Sequence, residues 1–282
     1  MKLTMQYFGI KTIIASISFL GAMYFLCFVA WDTQKPFWTS VNCNISETLV
    51  GLHQTDPKLI QCLRTLIIDP PKPSPYCLAE NFRSLYEQDK IIVEKMANLS
   101  PGNFIEIGSG SRTSNTFLLE RTNNWTGLLV EPDERSFATY LSCHRNVSLL
   151  NSCISRDQYV ERTNFILHKG GGSRATYSLP KRYLPGFKHV AETCFPLYSI
   201  MLAINRTNIG VLSLKSGYEE DAILASLPWD KVNISLVAVP VTHFVDRGAA
   251  VRKTLTRNNY EVVALAMGKF DIIAVKKPER KP

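Results

Sequence analysis

The sequence predicts an α/β domain, a largely parallel sheet covered by helices, tethered by one N-terminal membrane-spanning helix. Three observations predict it. Residues 12–31, TIIASISFLGAMYFLCFVAW, form a run of 20 residues without a charge. From Asn103 onward, short apolar runs alternate with amphipathic stretches, the order of strands and crossover helices. The last two apolar runs are joined only by Gly268-Lys269, which requires an antiparallel hairpin at the edge of the sheet.

The apolar run makes about 30 Å of helix, the thickness of a bilayer's hydrocarbon core. Helical amides are satisfied within the segment, and the hydroxyls of Thr12, Ser16 and Ser18 can bond back to the preceding turn. Tyr24 and Trp31 lie in its C-terminal half, with Trp31 where an amphipathic ring prefers the interface. A cleaved signal peptide is the competing reading, but its apolar core spans only about 7 to 15 residues and ends in a small-x-small site. Lys2 and Lys11 precede the run, whereas Asp32 offsets Lys35 after it, so the tail 1–11 is expected in the cytoplasm. That is a type II orientation, with the rest of the chain lumenal or extracellular.

Two tallies bear on this placement. Asn44, Asn98, Asn124, Asn146, Asn205 and Asn233 each open an Asn-x-Ser/Thr triplet, and all six lie beyond the helix. Pro101 follows the second triplet, and Asn124 and Asn233 adjoin predicted strands, so only some are expected to be used. Of seven cysteines, Cys27 lies in the apolar run, leaving Cys43, Cys62, Cys77, Cys143, Cys153 and Cys194. An even number suits an oxidising compartment. Spacing does not choose the pairing, although Cys62 with Cys77 and Cys143 with Cys153 would close the shortest loops. Without a CxxC, and with five scattered histidines, no metal site is expected. The net charge of +8 is spread rather than striped, which argues against nucleic-acid binding.

After the span, 32–75 reads as a lumenal stem and connector. Within it 56–68 forms a helix capped by Asp56 with Pro57 at its first position, and the prolines of 69–75 stiffen the chain. The main domain is placed at 76–278, opening with a helix at about 84–97. Its predicted strands are 104–108, 126–131, 147–151, 209–214, 234–239, 260–267 and 270–276. The stretch 155–196, with His168-Lys169-Gly170-Gly171-Gly172, is an insertion expected to hold a hairpin and a loop.

Seven strands whose last runs antiparallel are the arrangement of the Rossmann-like fold of methyltransferases that use S-adenosylmethionine (SAM). In such a sheet a ligand lies beyond the carboxyl ends of the strands. Glu106-Ile-Gly108-Ser-Gly110 follows the first strand there, ahead of a helix expected to begin near Thr113 to Asn115, and its glycines let backbone approach a nucleoside. Glu131 ends the second strand, 23 residues beyond Gly108, where a carboxylate can accept both ribose hydroxyls. Glu106, Gly108, Gly110 and Glu131 are therefore the candidate cofactor-binding residues.

NFIEIGSGSRTSNTFLLERTNNWTGLLVEPDERSF resembles the core of the FkbM-type methyltransferase domain, and more closely its membrane-anchored, Star-like branch. HQTDPKLIQCLRTLI and PYCLAENFRSLYEQDKIIVEKM resemble the segment that precedes the domain in that branch. The resemblance covers about residues 52–276 and is most specific in SNTFLLER and WTGLLVEP. It implies a type II membrane protein of endoplasmic reticulum, Golgi and endosomal membranes, with the plasma membrane a further station. Its implied role is to help transmembrane growth-factor precursors, or other secretory cargo, travel from the endoplasmic reticulum to the Golgi.

The resemblance also implies descent from a SAM-dependent enzyme, and here the sequence departs from the family pattern. Gly110-Ser111-Arg112 lacks an acidic residue usual after the first glycines. Lys215 stands where the fourth strand usually ends in a carboxylate, only Glu220 keeping a later acidic position, and Pro240 replaces another carboxylate after the next strand. A lysine near a sulfonium costs about 1 to 4 kcal/mol of repulsion at ~4 Å. His243 is the one candidate general base, and an isolated histidine at a strand end is more often structural. The expectation is a degenerate, non-catalytic domain without a cofactor. The alternative is a lumenal SAM-dependent O-methyltransferase.

Overall fold

The computed structural model describes residues 49–71, 84, 87–99, 101–108, 110, 113–168, 173–176, 187–216, 219–240, 245–266 and 271–278. The apolar run at 12–31, together with Cys43, Asn44, Cys77 and His243, lies outside the described residues. Among the described residues no helix is long and apolar enough to cross a membrane.

Two helices precede the main sheet. α1 (Pro57–Leu66) starts where the capping signal places it, the Asp56 carboxylate accepting from the Lys58 amide at 2.8 Å. Its apolar stripe buries Leu59 and Leu63 fully, and Ile68 then bridges to Leu149, so 49–71 contributes to the core. α2 (Gln88–Met96) begins later than predicted, because Glu87 sits at φ +59°, outside the helical region, and the Ser84 hydroxyl bonds to Asp89 in the first turn.

β1 (Asn103–Ile107), β2 (Thr126–Val130) and β3 (Ser148–Leu150) pair in parallel, linked by α3 (Phe117–Asn123) and α4 (Glu134–Ser142). The chain then leaves this sheet. β4 (Cys153–Ile154), β5 (Glu161–His168), β6 (Ser173–Thr176) and β7 (Phe187–Phe195) build a second sheet, ordered β4-β7-β5-β6. The expected hairpin is β5 and β6, which pair antiparallel, and β7 and β4 extend it beyond the expectation of a hairpin and a loop. Strands such as ERTNFILH mix polar and apolar residues, so they lack the unbroken apolar run that marks a strand buried on both faces. Cys153 and Cys194 face each other in the β4–β7 register and form a disulfide. The shorter Cys143–Cys153 loop is therefore not formed, because pairing follows strand register rather than distance along the chain. Cys62 and Cys143 each take part in a further, separate disulfide.

α5 (Leu197–Ala203) leads back to β8 (Asn208–Leu214), which lands on the other side of β1. α6 (Glu220–Ser226), β9 (Asn233–Pro240), α7 (Val245–Arg257), β10 (Tyr260–Ala266) and β11 (Asp271–Lys276) follow. β11 inserts between β9 and β10, antiparallel to both, giving the order β10-β11-β9-β8-β1-β2-β3. This is the seven-stranded Rossmann-like methyltransferase fold. Alternate strand residues feed a core on each face: Ile105, Ile107, Leu128 and Val130 on one, Phe104, Leu129 and Val211 on the other. The strand order reverses between β1 and β8, the point beyond whose carboxyl ends sheets of this kind bind ligands in a crevice.

Candidate functional site

The crevice begins where β1 gives way to Gly108. At φ +66° this residue is in the left-handed region, and a Cβ there would lie 2.0 Å from the Lys215 carbonyl oxygen. Glycine thus lets the ends of β1 and β8 close, joined by the Lys215 amide donating to the Ile107 carbonyl at 3.0 Å. Gly110, at φ +69°, has open space beside it. Its amide donates to Glu131 Oε2 at 2.9 Å, and its carbonyl accepts from the Tyr140 hydroxyl.

β2 ends at Val130, one residue short of the predicted strand, and Glu131 follows it directly, only 2 % exposed. Oε2 accepts from Gly110 and Oε1 from the Asp133 amide at 3.0 Å. Burial pushes its pKa up to about 7, against the pull of those two amides and of Lys215. The group that would grip a ribose therefore ties the post-β1 loop to the start of α4. Lys215 itself is exposed at the end of β8.

Glu106 points to the helical layer on the Phe104 face. It accepts from the Ser114 hydroxyl at 2.6 Å, the Asn115 amide at 2.7 Å and the Thr116 hydroxyl. These bonds consume residues 114–116, so α3 starts at Phe117 and not at 113–115 as predicted. Beside Glu106 lies Arg145, fully buried, with Nη1 3.8 Å from Glu106 and both Nε and Nη2 2.8 Å from Glu120 Oε2. The rings of Phe117 and Tyr140 flank the guanidinium at 5.3 and 5.9 Å. Burial alone would push Arg145 down, but Glu120 and then Glu106 more than reverse this, and its pKa is raised. Asn115 Nδ2 completes the knot by donating to Ser213 Oγ at 3.0 Å.

The structure thus gathers Glu106, Gly108, Gly110 and Glu131 around the ends of β1 and β2, but turns both carboxylates to the protein's own donors. His243 lies outside the described residues, and Pro240 is the last residue of β9, opposite Asp271. Among the described residues no group of His, Cys, Asp or Glu could hold a metal ion. Sequence reasoning missed Arg145, Glu120 and Tyr140. Nothing in their spacing marks them, since charged residues are expected at the surface.

No protein-family model and no curated protein matches the sequence. Among solved structures, the chain is similar to the METTL16 methyltransferase domain at 12% identity and TM-score 0.42, over 80% of this chain and 82% of that one. It is similar to a Pyrococcus furiosus methyltransferase at 14% identity and TM-score 0.36, over 66% and 81%. For a human methyltransferase 10 domain containing protein the values are 10% and 0.38, over 68% and 83%. At these scores the fold assignment rests on the strand order within the chain itself.

Proposed function

We propose that this is a Star-like, single-pass type II membrane protein of the secretory pathway, whose lumenal domain uses a methyltransferase fold as a binding surface and not as an enzyme. Its role is to assist transport of transmembrane growth-factor precursors, or similar cargo, from the endoplasmic reticulum to the Golgi. One observation carries the non-catalytic part: both Glu131 oxygens are buried and bonded to main-chain amides. A ribose could reach these oxygens only by displacing the packing that buries them, and losing either main-chain bond on the way would leave a buried amide unpaired at a cost of about 1–3 kcal/mol. Lys215 beside the crevice adds repulsion toward a sulfonium. The Cys153–Cys194 disulfide supports an oxidising compartment, and the uncharged run at 12–31 supports the anchor.

Calorimetry of the purified full chain with SAM is the deciding experiment. No heat and no thermal shift at millimolar SAM is the expected result. Micromolar binding that Glu131→Ala abolishes would sink the escort reading in favour of a lumenal O-methyltransferase. The transport role is checked separately, by co-precipitation of growth-factor precursors and by their export rate on depletion. Unchanged export without association would remove it.

A further inference from the structure

The five described acceptor asparagines lie toward the end of the main sheet where its parallel strands begin. Asn124 caps the end of α3 just ahead of β2, Asn146 precedes β3, Asn205 precedes β8, and Asn233 opens β9. Asn98 lies in the short turn Ala97–Leu99 ahead of β1. These strands run parallel and begin side by side, with Asn103 opposite Thr126 and Asn208 opposite Asn233. All five asparagine side chains are exposed. Asn233 Nδ2 donates to Asn208 Oδ1 at 3.1 Å, and Lys276 Nζ donates to Asn233 Oδ1 at 2.8 Å, so neighbouring strand starts are tied together. Gly108, Glu131 and Lys215 lie at the other end of the same strands, and no described triplet is found there.

Turn geometry explains part of this pattern. Asn124 and Asn205 sit at φ +54°, a left-handed position that asparagine tolerates. It explains neither Asn146 and Asn233, which have no positive φ, nor the hydroxyl residue two places beyond each acceptor.

We propose that at least three of Asn98, Asn124, Asn146, Asn205 and Asn233 carry N-linked glycans that together cover the edge where the parallel strands begin, leaving the other end of those strands uncovered. The proposal rests on the lumenal placement argued above. At each site the amide nitrogen bonds to the anomeric carbon of a lipid-linked oligosaccharide diphosphate. The carbon–oxygen bond to the diphosphate breaks, and the nitrogen's proton leaves with the lipid diphosphate. One N–H remains on Nδ2, so Asn233 can keep its bond to Asn208.

The test uses the full chain made in secretory cells. Peptide N-glycosidase in heavy-oxygen water converts each glycosylated asparagine to labelled aspartate, which mass spectrometry maps. Label at three or more of the five sites is expected, with one gel-mobility step lost for each matching Asn→Gln change. In parallel, protease is added to sealed microsomes. A chain that is protected yet labelled at two sites or fewer overturns the glycan face while the lumenal reading stands. A chain that is digested overturns the lumenal reading and the glycan face with it.

Discussion

Glu106 lies near the end of β1 and Glu131 just beyond the end of the adjacent β2, and each is 2 % exposed, yet they sit in different electrostatic company. Glu106 has Arg145 within 3.8 Å and hydroxyls around it, and the same guanidinium serves Glu120. Glu131 has two main-chain amides, and Lys215 is only the smallest influence on its pKa. A buried carboxylate needs either a cation or a proton. The first site supplies the cation; the second leaves room for the proton. The comparison separates a knot that holds the fold from a carboxylate whose charge varies with pH.

Removing the cation should be the harshest way to break the difference. Arg145→Met leaves Glu106 and Glu120 buried without their shared partner, an expected loss of about 3 to 5 kcal/mol in urea unfolding. Arg145→Lys should recover little, because a lysine cannot span Nε and Nη contacts as a planar fork does. A loss below about 1 kcal/mol for Arg145→Met would show that the knot is not a structural centre.

The pH dependence of stability sharpens the other half. Burial raises the Glu131 pKa from 4.5 to about 7 in the folded state, so between those values the folded chain binds more protons than the unfolded one. Its contribution is full below the lower value and is lost as pH rises through about 7, a swing on the order of 3 kcal/mol. Glu131→Gln cannot titrate. Relative to the wild type, the variant should therefore gain stability as pH rises from 5 to 7.5, measured by urea midpoints at constant m. Parallel curves for the two proteins would mean that Glu131 is ionised across the range.

The seven main strands were legible because parallel strands buried on both faces leave unbroken apolar runs, as in TGLLV and NIGVLSL. The second sheet was not, because β5 and β7 mix charged, polar and apolar residues and carry no long unbroken apolar run. At the site, chain position alone marked Gly108 and Glu131. What it could not reveal is direction: whether Glu131 bonds outward to a ligand or back to Gly110 depends on where the loop's amides point. Arg145 was hidden more deeply, since only folding shows that two carboxylates converge on it.

The two glycines supply the smallest and most local test, because they share a conformation and differ only in surroundings. Both have φ near the left-handed minimum, at +66° and +69°, so an added Cβ strains either by about 1 kcal/mol. At Gly110 an added Cβ would meet nothing within 4 Å, and Gly110→Ala should cost only that strain. At Gly108 the new carbon meets the Lys215 carbonyl, a main-chain atom that cannot rotate away. Gly108→Ala must therefore push β8 from β1 and weaken the Lys215–Ile107 bond, for a total of about 2 to 3 kcal/mol. Hydrogen exchange separates the two outcomes from a general loss of stability: the Lys215 amide should exchange faster in Gly108→Ala and at the wild-type rate in Gly110→Ala once global stability is matched. Equal exchange in both would mean that the close approach of β1 and β8 is not what requires glycine at 108.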